Sequence, residues 1–294
     1  MLSLPANVRA ALWMLGAVFG FISMALAGRQ LTGLHDTFEI MLWRSVVGIL
    51  TVLIAARIAG TWHKIRMRNM GLHLVRNLSH FTGQNLWFAA LAMIPLAQLF
   101  AMEFSYPLWV ALAAPFVLGE AMTRHKAMAV VLGFIGILIV TQPWAAGGLE
   151  LGTLLAIGCA FGFAGSALAT KRLTTRASLT EIMFWLSVMQ AVFGLICAGF
   201  DGNIALPSAQ SMPYLVIVGL AGLLGHSCMT RAFILAPASV CAPVDFLRLP
   251  LVAILGWALY GEAITLPIVM GGAVILLANW ININAGRRRA IVQA

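Results

Sequence analysis

Polar residues are so sparse along this chain that long apolar stretches, rather than any alternation within them, set the pattern. Such stretches fall near 8–27, 38–57, 70–92, 97–118, 126–141, 149–170, 179–200, 212–233, 239–259 and 266–284. A helix needs about 20 apolar residues to cross about 30 Å of hydrocarbon. The pattern therefore predicts ten transmembrane helices, of which the third is polar and the fifth short. Strands of a lipid-facing barrel would alternate in polarity, and these runs do not. The fold class expected is all-α, a polytopic membrane protein. The first run follows Arg9 and has the look of a signal sequence, but its residues recur later in the chain, so it reads as a retained first helix.

Composition agrees. Of 294 residues, 62% are hydrophobic and only 9% charged, against about 25% charged in a soluble domain. Too few charges remain to cover a water-facing surface, which excludes an ordinary soluble enzyme, a disordered chain and a disulfide scaffold. Cys159, Cys197, Cys228 and Cys241 all lie in apolar runs without a C-x-x-C, so neither a disulfide framework, a metal site nor a cofactor is expected.

The net charge of +9 reads as loop asymmetry rather than nucleic-acid binding. With the N-terminus inside, Arg9, Arg57, Lys64, Arg66, Arg68, Arg124, Lys126, Lys171, Arg172, Arg176, Arg231 and Arg287 to Arg289 fall in cytoplasmic segments, 14 of the 18 basic residues. Only Arg29 falls outside, and Arg44, Arg76 and Arg248 lie within spans. Both termini are expected in the cytoplasm. Trp62, Trp144 and Trp280 stand near span ends, as interface anchors do, and Arg287 to Arg289 read as a topology anchor.

The chain is also written twice. Shifted by 142 residues, 16–46 matches 158–188 at 15 of 31 positions without a gap, and 83–123 matches 225–265 at 10 of 41. Chance would give roughly one in ten. Two repeats follow, 1–145 and 146–294, each of five helices. An odd number sends the second copy into the membrane from the opposite side. Inverted-topology repeats of this kind build secondary transporters, because a site between the halves can open to either face.

Arg44 in the second span, the stretch from Pro107 through Leu118, Gly119 and Glu120, and its echo from Pro250 through Tyr260, Gly261 and Glu262 carry a family pattern. On these residues the chain resembles the EamA-type ten-helix branch of the drug/metabolite transporter superfamily, and on whole-chain impression its YddG-like amino-acid exporters. The resemblance implies a bacterial inner-membrane protein that exports small solutes. Leu186 stands opposite Arg44 in the seventh span, so the repeat pattern breaks there.

Candidate chemistry lies within the spans. Asn77, His80, Gln84 and Trp87 are spaced 3, 4 and 3 and share one face of the third helix. His226 stands opposite Gln84 in the second copy. Glu103 and Tyr106 share a face of the fourth span, as Asp245 and Arg248 do in the ninth. An ion at the bilayer centre costs about 2.5–3.5 kcal/mol and persists when paired or functional. Asp245 and Arg248 read equally as a neutralising i, i+3 pair, whereas Glu103 has no basic neighbour on its own helix. Pro107, Pro115, Pro243 and Pro250 interrupt these two helices, freeing carbonyls or fixing kinks. Trp43 and Trp185 read as stacking surfaces or packing, and Arg44 as a carboxylate clamp or a ligand of helix carbonyls. Asp36-x-x-Glu39 and Ser178-x-x-Glu181 read as capping boxes. Gly16-x-x-x-Gly20 and Gly158-x-x-x-Gly162 are seams that should let helices one and six pack closely. Glu120 and Glu262 read as structural or gating.

The substrate site expected is His80, Gln84, Trp87, Glu103, Tyr106, Trp43, Arg44, His226, Asp245, Arg248 and Trp185, with Glu103, His80 and Asp245 as proton-coupling candidates. The function expected is alternating-access export of small polar metabolites, amino acids first. The alternatives are drugs or nucleotide-derived metabolites, or a channel-like facilitator. An intramembrane enzyme is disfavoured by the lack of H-E-x-x-H, G-x-S-x-G or a nucleotide-binding loop. The partners expected are a small-molecule solute and membrane lipids, with no nucleic acid. Nothing in the sequence fixes the oligomeric state, and a monomer is compatible with it.

Overall fold

The computed structural model describes residues 4–119, 121–145 and 148–292, and among them the regular structure is entirely helical. The first half holds α1 (Ala6–Gln30), α2 (Thr37–Ile58), α3 (Met70–Met93), α4 (Leu96–Glu103), α5 (Tyr106–Leu118) and α6 (Arg124–Thr141). The second repeats the order with α7 (Leu151–Leu173), α8 (Leu179–Ala198), α9 (Met212–Leu235), α10 (Ala238–Asp245), α11 (Arg248–Tyr260) and α12 (Leu266–Val292). The fourth and ninth spans are each broken in two, at Phe104–Ser105 and at the equivalent Phe246–Leu247. The side chains of Asn279 and Asn282 in α12 donate to the carbonyls of Phe104 (2.6 Å) and Pro107 (3.4 Å), so the first break is bridged. Glu120 and the side chains of Arg287, Arg288 and Arg289 lie outside the described residues.

Nine segments are long and apolar enough to cross a membrane among the described residues. The tenth span, α3, is 24 residues long, about 36 Å, and falls short only in apolarity. The cause is its inner face, where His73, Arg76, Asn77, His80, Gln84 and Asn85 are all buried, while Leu74, Val75 and Leu78 face outward. A helix whose polar stripe is enclosed by protein needs only an apolar outer face to sit in lipid.

Local chemistry sets the helix ends. At α2 the capping box is complete, with Glu39 N–H donating to Asp36 Oδ1 at 2.8 Å and Asp36 N–H donating back to Glu39 Oε2 at 3.1 Å. At α8 only half of the expected box forms. Ser178 Oγ accepts from Glu181 N–H, but the Glu181 carboxylate turns toward His73, 3.7 Å away, instead of back to its own cap. The helices α5 and α11 both stop on glycines with left-handed φ, +68° at Gly119 and +66° at Gly261. There a Cβ would be strained.

Helix pairing displays the pseudo-two-fold. The closest partnerships are α1 with α9, α3 with α7, α2 with α8 and α6 with α12. All four join opposite halves. Under the repeat the first two exchange, and the last two map onto themselves. The glycine seams explain the approach, though each faces the other half rather than its counterpart. A Cβ on Gly20 would lie 2.8 Å from Ala221 O in α9, and one on Gly162 would lie 2.6 Å from Gly83 Cα in α3. Small residues let these backbones cross nearly in contact.

Candidate functional site

Call the face where α1 begins the near face and the other the far face. Between the halves lies a cavity of about 430 Å³. It runs from mid-bundle to the near-face ends of α7, α8 and α9, at Lys171, Thr174, Leu179 and Phe233. Of the residues singled out in the sequence, His80, Gln84, Trp87, Glu103, Tyr106, His226 and Arg248 line it. The third helix supplies three of these because its polar stripe repeats every three or four residues. His226 reaches the same space from α9, its Nε2 3.4 Å from that of His80. Phe21 packs edge-on against His226, ring centroids 5.1 Å apart.

The far end of the cavity is an ion network. Arg248 Nη1 lies 3.0 Å from Glu103 Oε1 and its Nη2 3.3 Å from Asp245 Oδ2. Trp87 Nε1–H donates to the other Glu103 oxygen at 2.8 Å. The guanidinium carbon sits 4.9, 5.3 and 4.7 Å from the ring centroids of Phe21, Phe100 and Phe104. Enclosure by aromatic faces suits a weakly hydrated planar cation. Glu103 therefore has a basic partner, contrary to what its own helix suggests, because Arg248 arrives from the opposite half. Both carboxylates and the arginine lie at the helix breaks, where the chain turns them inward.

Four further candidates stand elsewhere. Asp245 backs Arg248 and is not among the lining residues. Arg44 occupies a small recess beside the cavity, reached past His226 and walled by Ser187, Gln190 and Gly219. Trp43 and Trp185 lie away from the cavity, each tying down a connecting loop. Trp43 Nε1–H donates to Ala205 O at 3.0 Å and Trp185 Nε1–H to Arg66 O at 2.9 Å. These are equivalent residues pinning loops on opposite faces.

On the far side the cavity is sealed. Arg29 pairs with Glu262, and its Nη1 also donates to Ile94 O at 3.1 Å. Glu262 Oε2 accepts the Leu96 N–H at 2.7 Å, capping α4. Gln30 donates to Tyr260 Oη at 3.3 Å. Glu262 and its partner Arg29 thus tie together the ends of α1, α3, α4 and α11.

The sequence reading missed Arg76, Phe163, Ser166 and Thr170 among the lining residues. Two had a signal. Arg76 extends the His80–Gln84 stripe by one turn, and Ser166, Thr170 and Thr174 recur at fours along α7.

Comparison with known proteins agrees with this architecture. The model of the EamA-like transporter family matches residues 8–142 and again 150–283. The riboflavin transporter of Vibrio cholerae is 29% identical, over 92% of this chain and 91% of that one. The pseudopaline exporter of Pseudomonas aeruginosa is 24% identical over 89% and 91%, and the S-adenosylmethionine uptake transporter of Rickettsia bellii 26% over 70% of each. A crystal structure superimposes with a TM-score of 0.64 at 20% identity, covering 95% of this chain and 98% of that one. At that identity the likeness carries the fold alone.

Proposed function

This chain belongs to the EamA-like transporter family, and from that premise we propose that it carries a small organic solute with an aromatic or apolar body across the bacterial inner membrane by alternating access. It is a small-molecule transporter and not an enzyme. The observation that carries the finer reading is the cavity itself, enclosed by both repeats, sealed at the far face and walled by Phe21, Trp87, Phe100, Phe163 and Phe233 around a few polar groups. Apolar pockets with few, fixed polar groups bind organic solutes. The basic bias of the near-face loops supports a cytoplasmic near face. The cavity then loads from the cytoplasm, and the direction proposed is outward. The relatives include both an exporter and uptake transporters, and their names do not single out amino acids.

Glu103 is proposed to carry any coupled proton. Neutralising it would loosen Arg248 at the break between α10 and α11, where the span can bend.

Counterflow tests the reading. Purified protein in liposomes preloaded with riboflavin or aromatic amino acids should show uptake accelerated by solute on the opposite side. His80→Ala and Gln84→Ala should lower that uptake while leaving insertion intact. Flux linear in concentration, without trans-acceleration, would make the protein a channel. Glu103→Gln should abolish acceleration by a pH gradient. If that acceleration survives, the proton travels elsewhere.

A further inference from the structure

Among the described residues three arginines are buried in the core, and one of them pairs with carboxylates. Arg248 has Glu103 and Asp245. Arg76, lining the cavity, has only neutral acceptors, Thr170 Oγ1 at 3.3 Å from Nε and Asn77 Oδ1 at 2.8 Å from Nη1. Arg44 donates to the thioether of Met41 at 3.4 Å. Among the described residues no carboxylate lies within ion-pair distance of either guanidinium. The remaining buried acids are engaged elsewhere. Glu39 closes the α2 capping box and takes the Ala205 N–H, and Glu181 faces His73.

Two cations without a carboxylate partner therefore flank the His80–His226 pair, Arg76 one turn before His80 on α3 and Arg44 in the recess that His226 also lines. A buried charge without a counter-ion is costly. Of the unpartnered buried polar atoms, the acceptors Gln190 Oε1 and Asp245 Oδ1 lie outside the cavity lining, and those on lining residues have the matching sense. Gln84 Nε2 and Arg248 Nε are donors, and His80 Nδ1 is one in the appropriate tautomer. The Arg76, His80 and Gln84 side chains fall at i, i+4 and i+8 on α3, a donor stripe facing aromatic walls.

We propose that the solute is an organic anion, whose carboxylate or phosphate is held by Arg76 with Arg44 behind, and whose apolar body runs along His80 and Gln84 against Phe163 and Trp87. This rests on the carrier reading above and adds the charge of its cargo. The anion supplies the counter-charge that the protein withholds, so the empty site favours occupation. A cationic solute would face repulsion from both arginines.

Matched ligands separate charge from shape. The probes are 3-phenylpropanoate, 3-phenylpropanamide and 3-phenylpropylammonium, and riboflavin against riboflavin 5′-phosphate, each titrated on the full-length protein in detergent. The anionic member should bind roughly tenfold or more tightly than its neutral and cationic partners, the worth of one hydrogen bond to a charged group. Arg76→Gln should remove that preference, read as the ratio of anionic to neutral binding, and Arg76→Lys should keep part of it. If Arg76→Gln does not fold, Arg44→Gln is read the same way. Equal binding of neutral and anionic members overturns the proposal, and so does a preference that survives the substitutions. Chloride or nitrate competing as well as the organic anions would also overturn it. So would failure of every anion to bind, in which case counterflow of another solute would still support the carrier.

Discussion

Glu262→Gln should unlock the far face. The Glu262 carboxylate pairs with Arg29 and accepts the Leu96 N–H, and through these two contacts it joins α1 and α11 to the start of α4. An amide keeps the size but loses the ion pair, and it must choose which of its groups faces Leu96. Hydrogen bonds to charged groups contribute about 1.5–3 kcal/mol. In the proposed alternating-access cycle these contacts break when the far face opens, so their loss acts on the equilibrium between conformers. Each 1.4 kcal/mol is a factor of ten, so the far-open population should rise roughly tenfold to a hundredfold. The assay is alkylation of Met24→Cys, a position lining the cavity, in a background with Cys159, Cys197, Cys228 and Cys241 replaced. A membrane-impermeant thiol reagent applied to the far face should react faster in proportion to that population. An unchanged alkylation rate in well-inserted Glu262→Gln protein would mean that the pair is not what holds the face shut.

Other consequences follow from the same packing and charges. Arg248→Met leaves Glu103 and Asp245 buried without their cation and should cost about 3–5 kcal/mol, visible as a lower thermal unfolding midpoint; adding Glu103→Gln should restore part of it, and no restoration would show that the two carboxylates are neutralised from elsewhere. Gly162→Leu drives a side chain into the Gly83 backbone and should prevent folding, whereas Gly158→Ala meets only the flexible tip of Leu86 at 3.1 Å and should be tolerated; comparable yields of folded protein would contradict the close crossing. Trp43→Phe removes the bond to Ala205 O and should lower stability by about 1 kcal/mol without changing the apparent KM, while Trp87→Phe frees a Glu103 oxygen in the cavity wall and should raise it.

Much of this architecture is legible in the chain because a membrane allows few solutions. Ten apolar runs, an odd count per repeat and biased basic residues fix the spans and their inversion with no knowledge of contacts. The α3 stripe is legible for the same reason, since polar groups at helical spacing have to face inward. What stays hidden is whatever crosses between halves. Glu103 looks unpaired because Arg248 lies 145 positions away, and Glu262 looks like a helix end because its partners are on α1 and α4. Trp43 and Trp185, repeated at equivalent positions, suggest a binding surface, yet each anchors a loop. Repetition marks equivalent geometry, and that geometry serves structure as readily as solute.

If two inverted halves exchange roles around one cavity, the two faces must open in turn. Spin labels at Leu34 and Ile264 span the far face beside the lock, and their repeat equivalents Arg176 and Met122 span the near face; all four positions are exposed. Electron–electron distance measurements on both pairs in lipid, with and without the transported solute, test the exchange directly. Exchange of roles requires that one distance lengthens as the other shortens. Two distances that stay fixed, or that change in the same sense, would contradict it.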